Sequence, residues 1–380
     1  TRLTIIYFDN AATSGFKPSR SIDAAVYAMK FLNANAGRSG HKLAIACAEA
    51  VFAARQSVAA LFNAKPDRVV FTQNCTHALN AAIYGIYEKG SHVITTATEH
   101  NSVLRPLFDL EKRGEITLTI LRPTTGGVTA KDVEKALTEK TRLVVMSATS
   151  NVSGTDNDVY GVGKLLKGTG IKFVVDGAQA AGHEQLDVKK LNCDALCVAG
   201  HKGLYSVQGV GAIILGDNAI IRPFIRGGTG SDTFNADMPE DYPEKLEGGT
   251  LNLPAICSLK EGADYCMGNV SYCGGPLTAI TDYLITALGA RPYIKLYSLP
   301  NAAGIVAFSH AEIPSQELAS ILSDKYDIAV RGGYHCAPLM HRYLGTEKFG
   351  LVRVSASPMN TRKEMRALID AIDEISFTAF

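Results

Sequence analysis

What this 380-residue chain does not contain narrows its chemistry first. It has no GxxxxGK followed by serine or threonine and no GxGxxG, so the usual signals of nucleotide binding are missing. No apolar run approaches the roughly 20 residues needed to cross a bilayer. The Thr1–Asn10 stretch meets an acid too soon to act as a signal peptide. Neither sign of charge dominates. With 38 basic and 37 acidic residues the formal net charge is +1, which gives no reason to expect nucleic acid or an anionic membrane as partner. Eight cysteines, none in a CxxC pair, fall far short of a disulfide framework, so reduced thiols in a cytoplasmic protein are expected. Internal repeats and low-complexity segments are also missing. What remains is an ordinary soluble globular composition, 46% hydrophobic and 20% charged, on a chain long enough for a large core and two domains.

From Val69 onward the pattern is strand, turn, helix, repeated. Val69–Thr72, His92–Thr95, Ile116–Leu121, Leu143–Ser147, Phe173–Asp176, Ala195–Ala199 and Gly211–Leu215 read as strands. Helical spacing intervenes near 76–88, 101–113, 129–138 and 159–167. Such alternation predicts an α/β fold with a mostly parallel sheet of these seven strands, covered by helices on both faces. Two helices precede it. Pro18 opens one, with Ile22, Ala25, Val26, Met29 and Leu32 at helical spacing; the other has Ala44, Cys47, Val51, Ala54, Val58 and Leu61 on one side. Past Leu215 come glycine-rich loops at 226–231 and 247–250, then a helical run near 255–267. Segments 301–309, 316–323, 328–330, 351–355 and 362–375 read as β-α-β-β-α, a smaller α+β domain. The expected division is 16–255 for the large domain and 1–15 with 256–380 for the small one.

Two strands end abruptly in reactive residues. Phe173-Val-Val precedes Asp176, and Ala195–Ala199 precedes Gly200, His201 and Lys202. In parallel α/β sheets ligands sit just beyond the carboxyl ends of the strands. A carboxylate and an amine delivered to one pocket suit pyridoxal 5′-phosphate, which needs a lysine to attach to and a carboxylate to keep its ring nitrogen protonated. The plain alternatives are a surface lysine and an aspartate that caps a helix starting at Gly177. Thr72–Thr76 lies between a strand and a helix, where Thr76 could serve a phosphate or simply cap the helix. His100 also follows a strand and could stack on a planar ring. Cys336 sits in a glycine-containing loop beside His335 and near Arg331, an electropositive setting of the kind that lowers a thiol pKa. A metal reading of His335, Cys336 and His341 lacks a second cysteine pair. Arg353 lies in an apolar strand, where an unpaired arginine is costly to bury, so a substrate carboxylate is a candidate partner.

Taken in order, Tyr7–Ala12, Val175–Gln179, Gly200–Lys202, Arg331–Ala337 and Arg353–Ser355 resemble the motifs of the group II cysteine desulfurases and selenocysteine lyases. These are enzymes of the class V aminotransferase fold, that is, fold type I of the pyridoxal-phosphate-dependent transferases. The resemblance implies that Lys202 attaches the cofactor, Asp176 pairs with its ring nitrogen, Gln179 with its ring hydroxyl, and His100 stacks on the ring. It implies that Thr76, with Cys75 beside it, and His201 hold the phosphate. Asn151 would lie beside the ring hydroxyl and substrate, and Arg353 would grip the substrate carboxylate with Arg331 and His335 nearby. It further implies a homodimer with shared sites, in which Thr250 reaches the other subunit's phosphate. Ala199 and Cys75 depart from the hydroxyl residues common at their positions.

The implied reaction converts L-cysteine to L-alanine. Lys202 takes the Cα proton, and Cys336, as thiolate, attacks the substrate sulfur and keeps it as a persulfide for an acceptor protein. L-selenocysteine as substrate and transamination on the same fold are the alternatives. A sulfur-carrier scaffold with a dead site is disfavoured by the presence of both Lys202 and Asp176.

Overall fold

The computed structural model describes residues 5–37, 39–123, 126–231 and 233–378, so Thr1–Thr4 of the N-terminal stretch lie outside the described residues. In chain order the elements are β1 (Ile6–Tyr7), α1 (Ser19–Phe31), α2 (Lys42–Leu61), β2 (Val69–Thr72), α3 (Cys75–Ile86), β3 (Ser91–Thr96), α4 (Asn101–Lys112), β4 (Ile116–Leu121), α5 (Ala130–Ala136), β5 (Thr141–Ser147), α6 (Val159–Leu166), β6 (Lys172–Asp176), α7 (Val188–Leu191), β7 (Ala195–Ala199) and β8 (Gly211–Leu215). Then follow α8 (Leu253–Gly289), β9 (Ile294–Leu296), β10 (Ile305–His310), α9 (Ser315–Tyr326), β11 (Ile328–Ala329), β12 (Arg331–Gly333), α10 (Pro338–Leu344), β13 (Leu351–Ser355) and α11 (Arg362–Thr378).

The expected mostly parallel seven-stranded sheet is present, in the order β2-β8-β7-β6-β5-β3-β4; only β8 runs antiparallel to its neighbours. Its central strands are buried on both faces, which is why they read as unbroken apolar runs rather than as alternation. Val175, Leu196, Val198 and Ile214 face a core shared with α2, α6 and α8. Val174, Cys197, Ala199 and Ile213 face one shared with α3 and α4. By length and composition α2 could cross a membrane. Here its Cys47, Val51, Ala54 and Val58 are buried in the first of these cores, and its Arg55 pairs with Glu247.

A second, antiparallel sheet has the order β12-β13-β10-β9. Val306, Phe308, Val352 and Val354 share a core with Leu284 and Leu288 of α8, Leu318 and Leu322 of α9, and Leu368 and Ile372 of α11. The N-terminal segment joins this part. β1 pairs in parallel with β11, Ser355 N–H donates to Phe8 O at 2.7 Å, and Asn10 N–H donates to Ser355 O at 3.2 Å. This lacing carries Asp9 onto β13.

Several expectations change. The helix expected near 255–267 runs on to Gly289, through Gly268, Gly274, Gly275 and Pro276. Leu277, Ile280, Leu284 and Leu288 continue it into the second core, and tertiary packing overrides weak local propensity. The strand expected from Asn301 begins at Ile305. Asn301 Oδ1 accepts the Ile305 N–H at 3.1 Å, closing a turn through Gly304 at φ +72°. The large apolar residues of α1 do not point inward: Ile22 and Met29 are 46% and 60% exposed, and Ser21, Ala25 and Ala28 are what this helix buries. Strands β9 and β12, three residues each, and helix α10 went unread because they are too short to show a period.

Candidate active site

Strands β3, β5, β6 and β7 end at one edge, and each hands polar residues to it: Thr98 and His100, Thr149 and Asn151, Asp176 and Gln179, His201 and Lys202. β2 ends there as well, since Thr72 pairs with Gly211 at the start of β8. A Cβ on Gly211 would lie 2.7 Å from the Asn74 carbonyl carbon and 3.0 Å from Cys75 N, so glycine lets α3 begin against the sheet. The result is a cavity of about 240 Å³. Arg331, His335 and Arg353, from the part of the chain built on the second sheet, complete its wall.

Lys202 sits in a turn that closes on itself. Gly200 N–H donates to Val210 O at 3.1 Å, Ser206 N–H to Gly200 O at 2.9 Å and Tyr205 N–H to Lys202 O at 2.9 Å. Burial pushes the Lys202 amine below the ordinary lysine range, and the Asp176 carboxylate opposes that shift. Asp176 Oδ1 accepts the Ala178 N–H at 2.9 Å and the Cys75 thiol at 3.6 Å, while Oδ2 takes no hydrogen bond from the described residues. Burial raises the Asp176 carboxyl above its usual range, against the Ala178 N–H and Lys202. A turn follows this aspartate rather than a helix, so the capping alternative falls away. Burial, with Asp176 beside it, lifts the Cys75 thiol well above its usual range, which makes Cys75 a hydrogen-bond donor and a poor nucleophile.

At the start of α3 the cap is Asn74, whose Oδ1 accepts the His77 N–H at 2.9 Å; Thr76 is free of that task. The Cys75 and Thr76 N–H groups have no partner among the described residues, at the positive end of a 12-residue helix. Thr76 Oγ1 lies 2.7 Å from Ser102 Oγ, which lies 2.9 Å from His100 Nδ1. That nitrogen also accepts the Ser102 N–H at 3.0 Å, so the His100 ring is neutral with its proton on Nε2. Burial, with Lys202, Arg331 and Arg353 adding repulsion, holds His100 at about 4. Burial and Lys202 hold His201 at about 4 as well, and its buried Nδ1 has no partner. Gln179 lines the cavity and donates through Nε2 to Ala11 O at 3.1 Å.

Arg353 is 1% exposed and lines the cavity. Its Nη2 reaches Asp9 Oδ1 at 2.8 Å and its Nη1 donates to Asn151 O at 2.9 Å, while Nε has no partner among the described residues. Asp9 thus gives the buried guanidinium a carboxylate partner from its own chain, which the sequence reading did not anticipate.

Cys336 is exposed, whereas the other described cysteines are buried. Its thiol lies 3.9 Å from Nη2 of Arg331, which lines the cavity; Cys336 itself is not among the lining residues. His335, expected to add positive charge beside the thiol, does not. Its Nε2–H donates to Leu351 O at 3.1 Å, and burial with Arg353 nearby pushes the imidazole down to about 2. Arg331 is therefore the cation beside the sulfur. The backbone here is strained: His335 and Cys336 have φ of 50° and 57°, a left-handed conformation that costs roughly 1 kcal/mol or more per non-glycine residue. Asn151 Nδ2 to His335 O at 2.7 Å and Asn101 N–H to Cys336 O at 2.7 Å help fix it.

Thr250 is exposed and stays outside the cavity, with Asn35 Nδ2 3.4 Å from its hydroxyl. Two residues near the cavity went unread. One is Asp9. The other is Glu99, fully buried, whose Oε1 accepts the Thr96 hydroxyl at 2.5 Å and the Ser147 N–H at 2.9 Å while Oε2 has no partner among the described residues. Burial raises this carboxyl to about 8. Its place in the strand-end loop directly before His100 was the available signal.

Comparison with known proteins places the whole arrangement. The family model described as Aminotransferase class-V matches residues 6–368. A probable cysteine desulfurase of Methanothermobacter thermautotrophicus is 31% identical over 383 residues, spanning 98% of this chain and 94% of that protein. The cysteine desulfurase of Serratia proteamaculans is 30% identical over 386 residues, spanning 98% and 93%. The apo cysteine desulfurase from Thermococcus onnurineus NA1 has a TM-score of 0.89 at 28% identity, over 98% of this chain and 94% of that one. With a match along nearly its whole length, and a lysine and an aspartate converging from neighbouring strand ends, the chain belongs to the class-V aminotransferase family.

Proposed function

We propose that the chain is a cysteine desulfurase that uses pyridoxal 5′-phosphate to convert L-cysteine to L-alanine, leaving the sulfur on Cys336. The observation that carries this reading is the exposed Cys336 thiol, 3.9 Å from an arginine that lines the cavity of Lys202 and Asp176. The residues present fit the cofactor. Two helix-terminal N–H groups and the Thr76 hydroxyl suit its phosphate, with His201 beside them. Asp176 offers a carboxylate oxygen free of protein donors to the ring nitrogen. Lys202 would attach the cofactor, His100 would cover the ring, and Gln179 would meet its hydroxyl.

When bound, the cofactor supplies an electron sink for cleavage at Cα and Cβ of the amino acid. The remaining work falls to the chain. Lys202 Nζ, made less basic by burial, takes the substrate Cα proton. Arg353, held by Asp9, lines the cavity and would meet the substrate carboxylate through its guanidinium. His100 stays neutral and adds no charge over the ring. Cys336 Sγ attacks the substrate sulfur; the carbon–sulfur bond breaks, the sulfur stays as a persulfide, and alanine leaves.

In this reading residues 16–255 form the cofactor domain, and residues 1–15 with 256–380 the smaller one. The separate main cores of the two sheets support that division, although the first turns of α8, with Ile256, Leu259 and Ala263, pack in a core of the large sheet. The active unit is a homodimer in the cytoplasm, in which Thr250 of the partner subunit serves the phosphate. The outward Ile22, Met29 and Phe31 of α1, exposed by 46%, 60% and 58%, support a covering partner. An acceptor protein takes the persulfide sulfur. Alanine release from L-cysteine tests the proposal: wild type should form it, and Cys336→Ser should not. A Cys336→Ser enzyme that consumes cysteine at the full rate would overturn it.

A further inference from the structure

We propose that Asn151 is a positioning residue that ties the Cys336 turn to Arg353 and so sets where the thiol stands; the inference rests on the desulfurase reading. Asn151 acts in two directions. Its carbonyl accepts Arg353 Nη1 at 2.9 Å, and its side-chain Nδ2 donates to His335 O at 2.7 Å. One residue thus holds the guanidinium in the cavity wall and the backbone immediately before the exposed thiol. It is 7% exposed, so bulk water does not compete for either bond.

The turn needs such a tie. His335 and Cys336 are consecutive, neither is glycine, and both are left-handed. A backbone of this kind persists only where its surroundings over-determine it. Two of its anchors come from rigid elements, the Asn101 N–H at the start of α4 and Leu351 O of β13. The third is the Asn151 amide, a side chain that reaches the loop backbone from the turn after β5. The amide is therefore engaged with the loop, and occupancy at Arg353 is coupled to thiol placement through one residue.

The test uses the cofactor-loaded enzyme with Asn151→Ala and Asn151→Asp; the second keeps the shape of the side chain and loses the donor. Alkylation by iodoacetamide, followed on the Cys336 peptide by mass spectrometry, reads thiol placement without turnover. Steady-state assays with L-cysteine read kcat and KM apart. Loss of one hydrogen bond should change the alkylation rate about five-fold in both variants. Displacement of the nucleophile should lower kcat about ten- to hundred-fold. KM should stay within about three-fold, and the visible absorbance of the bound cofactor should match wild type. Unchanged alkylation with a rise in KM alone would make Asn151 a substrate contact and overturn the proposal. Unchanged alkylation with unchanged kcat would overturn it equally. If Asn151→Ala does not fold, Asn151→Asp decides. A wild-type enzyme that forms no alanine would sink the desulfurase reading, whereas the alkylation comparison still decides whether Asn151 holds the loop.

Discussion

Asp9 Oδ1 and Arg353 Nη2 form an ion pair at 2.8 Å between residues 344 positions apart in the chain. The arginine is fully buried and the aspartate partly so. The pair exists because β1 and the residues after it lace onto β11 and β13. It makes the N-terminal segment part of the cavity wall.

Removing the aspartate leaves a buried guanidinium without its counter-ion. We expect Asp9→Ala to cost about 3 kcal/mol of stability, read by urea denaturation, because breaking a buried pair strands one charge. The KM for L-cysteine should rise more than kcat falls, since the arginine loses its orientation. A variant as stable as wild type would show that the pair is solvated in solution.

Glu99 gives a pH signature of known sign. Its folded pKa of about 8 lies above the 4.5 of an ordinary glutamate. Stability from this group is therefore fully present below the unfolded pKa and is lost as pH rises through about 8. Glu99→Gln mimics the protonated form. The variant should gain on wild type between pH 5 and 9, by on the order of a few kcal/mol. Asp176 and Glu184 also have raised carboxyls but are common to both proteins, so the difference isolates Glu99. Parallel stability curves would show that Glu99 is ionised when folded.

Thr76 links the open end of α3 to Ser102 and His100. We expect Thr76→Val to weaken pyridoxal phosphate binding to the apoprotein about ten-fold, the scale of one hydrogen bond to a charged group. Titration followed by cofactor absorbance measures it. Equal affinity would mean that the hydroxyl only braces Ser102.

Gly203 allows the lysine turn to touch the turn after β6. A Cβ there would lie 2.2 Å from Ala181 O, so Gly203→Ala forces backbone apart. A loss of about 1–3 kcal/mol is expected, as for other overpacked sites. Cofactor attachment at Lys202 should fall with it. A variant with normal stability and a normal cofactor spectrum would show that the two turns separate freely.

The parts of the site that were legible in the sequence are those whose signal is local. Asp176 and Lys202 stand where apolar runs stop, and that alone marks a strand end at a ligand site. The neutrality of His335 was not legible, because it depends on a carbonyl 16 residues away and on burial among arginines. The partner of Arg353 was hidden for the same reason, at greater range. Among the elements, α1 misled through its period: Ile22, Val26 and Met29 have helical spacing but face outward, because small residues on the opposite side allow close packing. The helical run read near 255–267 ends short of Gly268, Gly274, Gly275 and Pro276 of α8, and the two cores that α8 bridges explain its full length.

β8 turns back antiparallel to β7, so the segment bearing Lys202 is a short return from Gly200 to Val210 rather than a helical crossover. Both ends of that return are rooted in the middle of the sheet. The amine is thus on a leash no longer than its own side chain. In the proposed reading, whatever bond it releases during turnover, it remains beside the cavity at an effective concentration that free amines in solution do not approach. Competing amines in the cell are disfavoured by that confinement alone, and recovery of the resting enzyme is an intramolecular event.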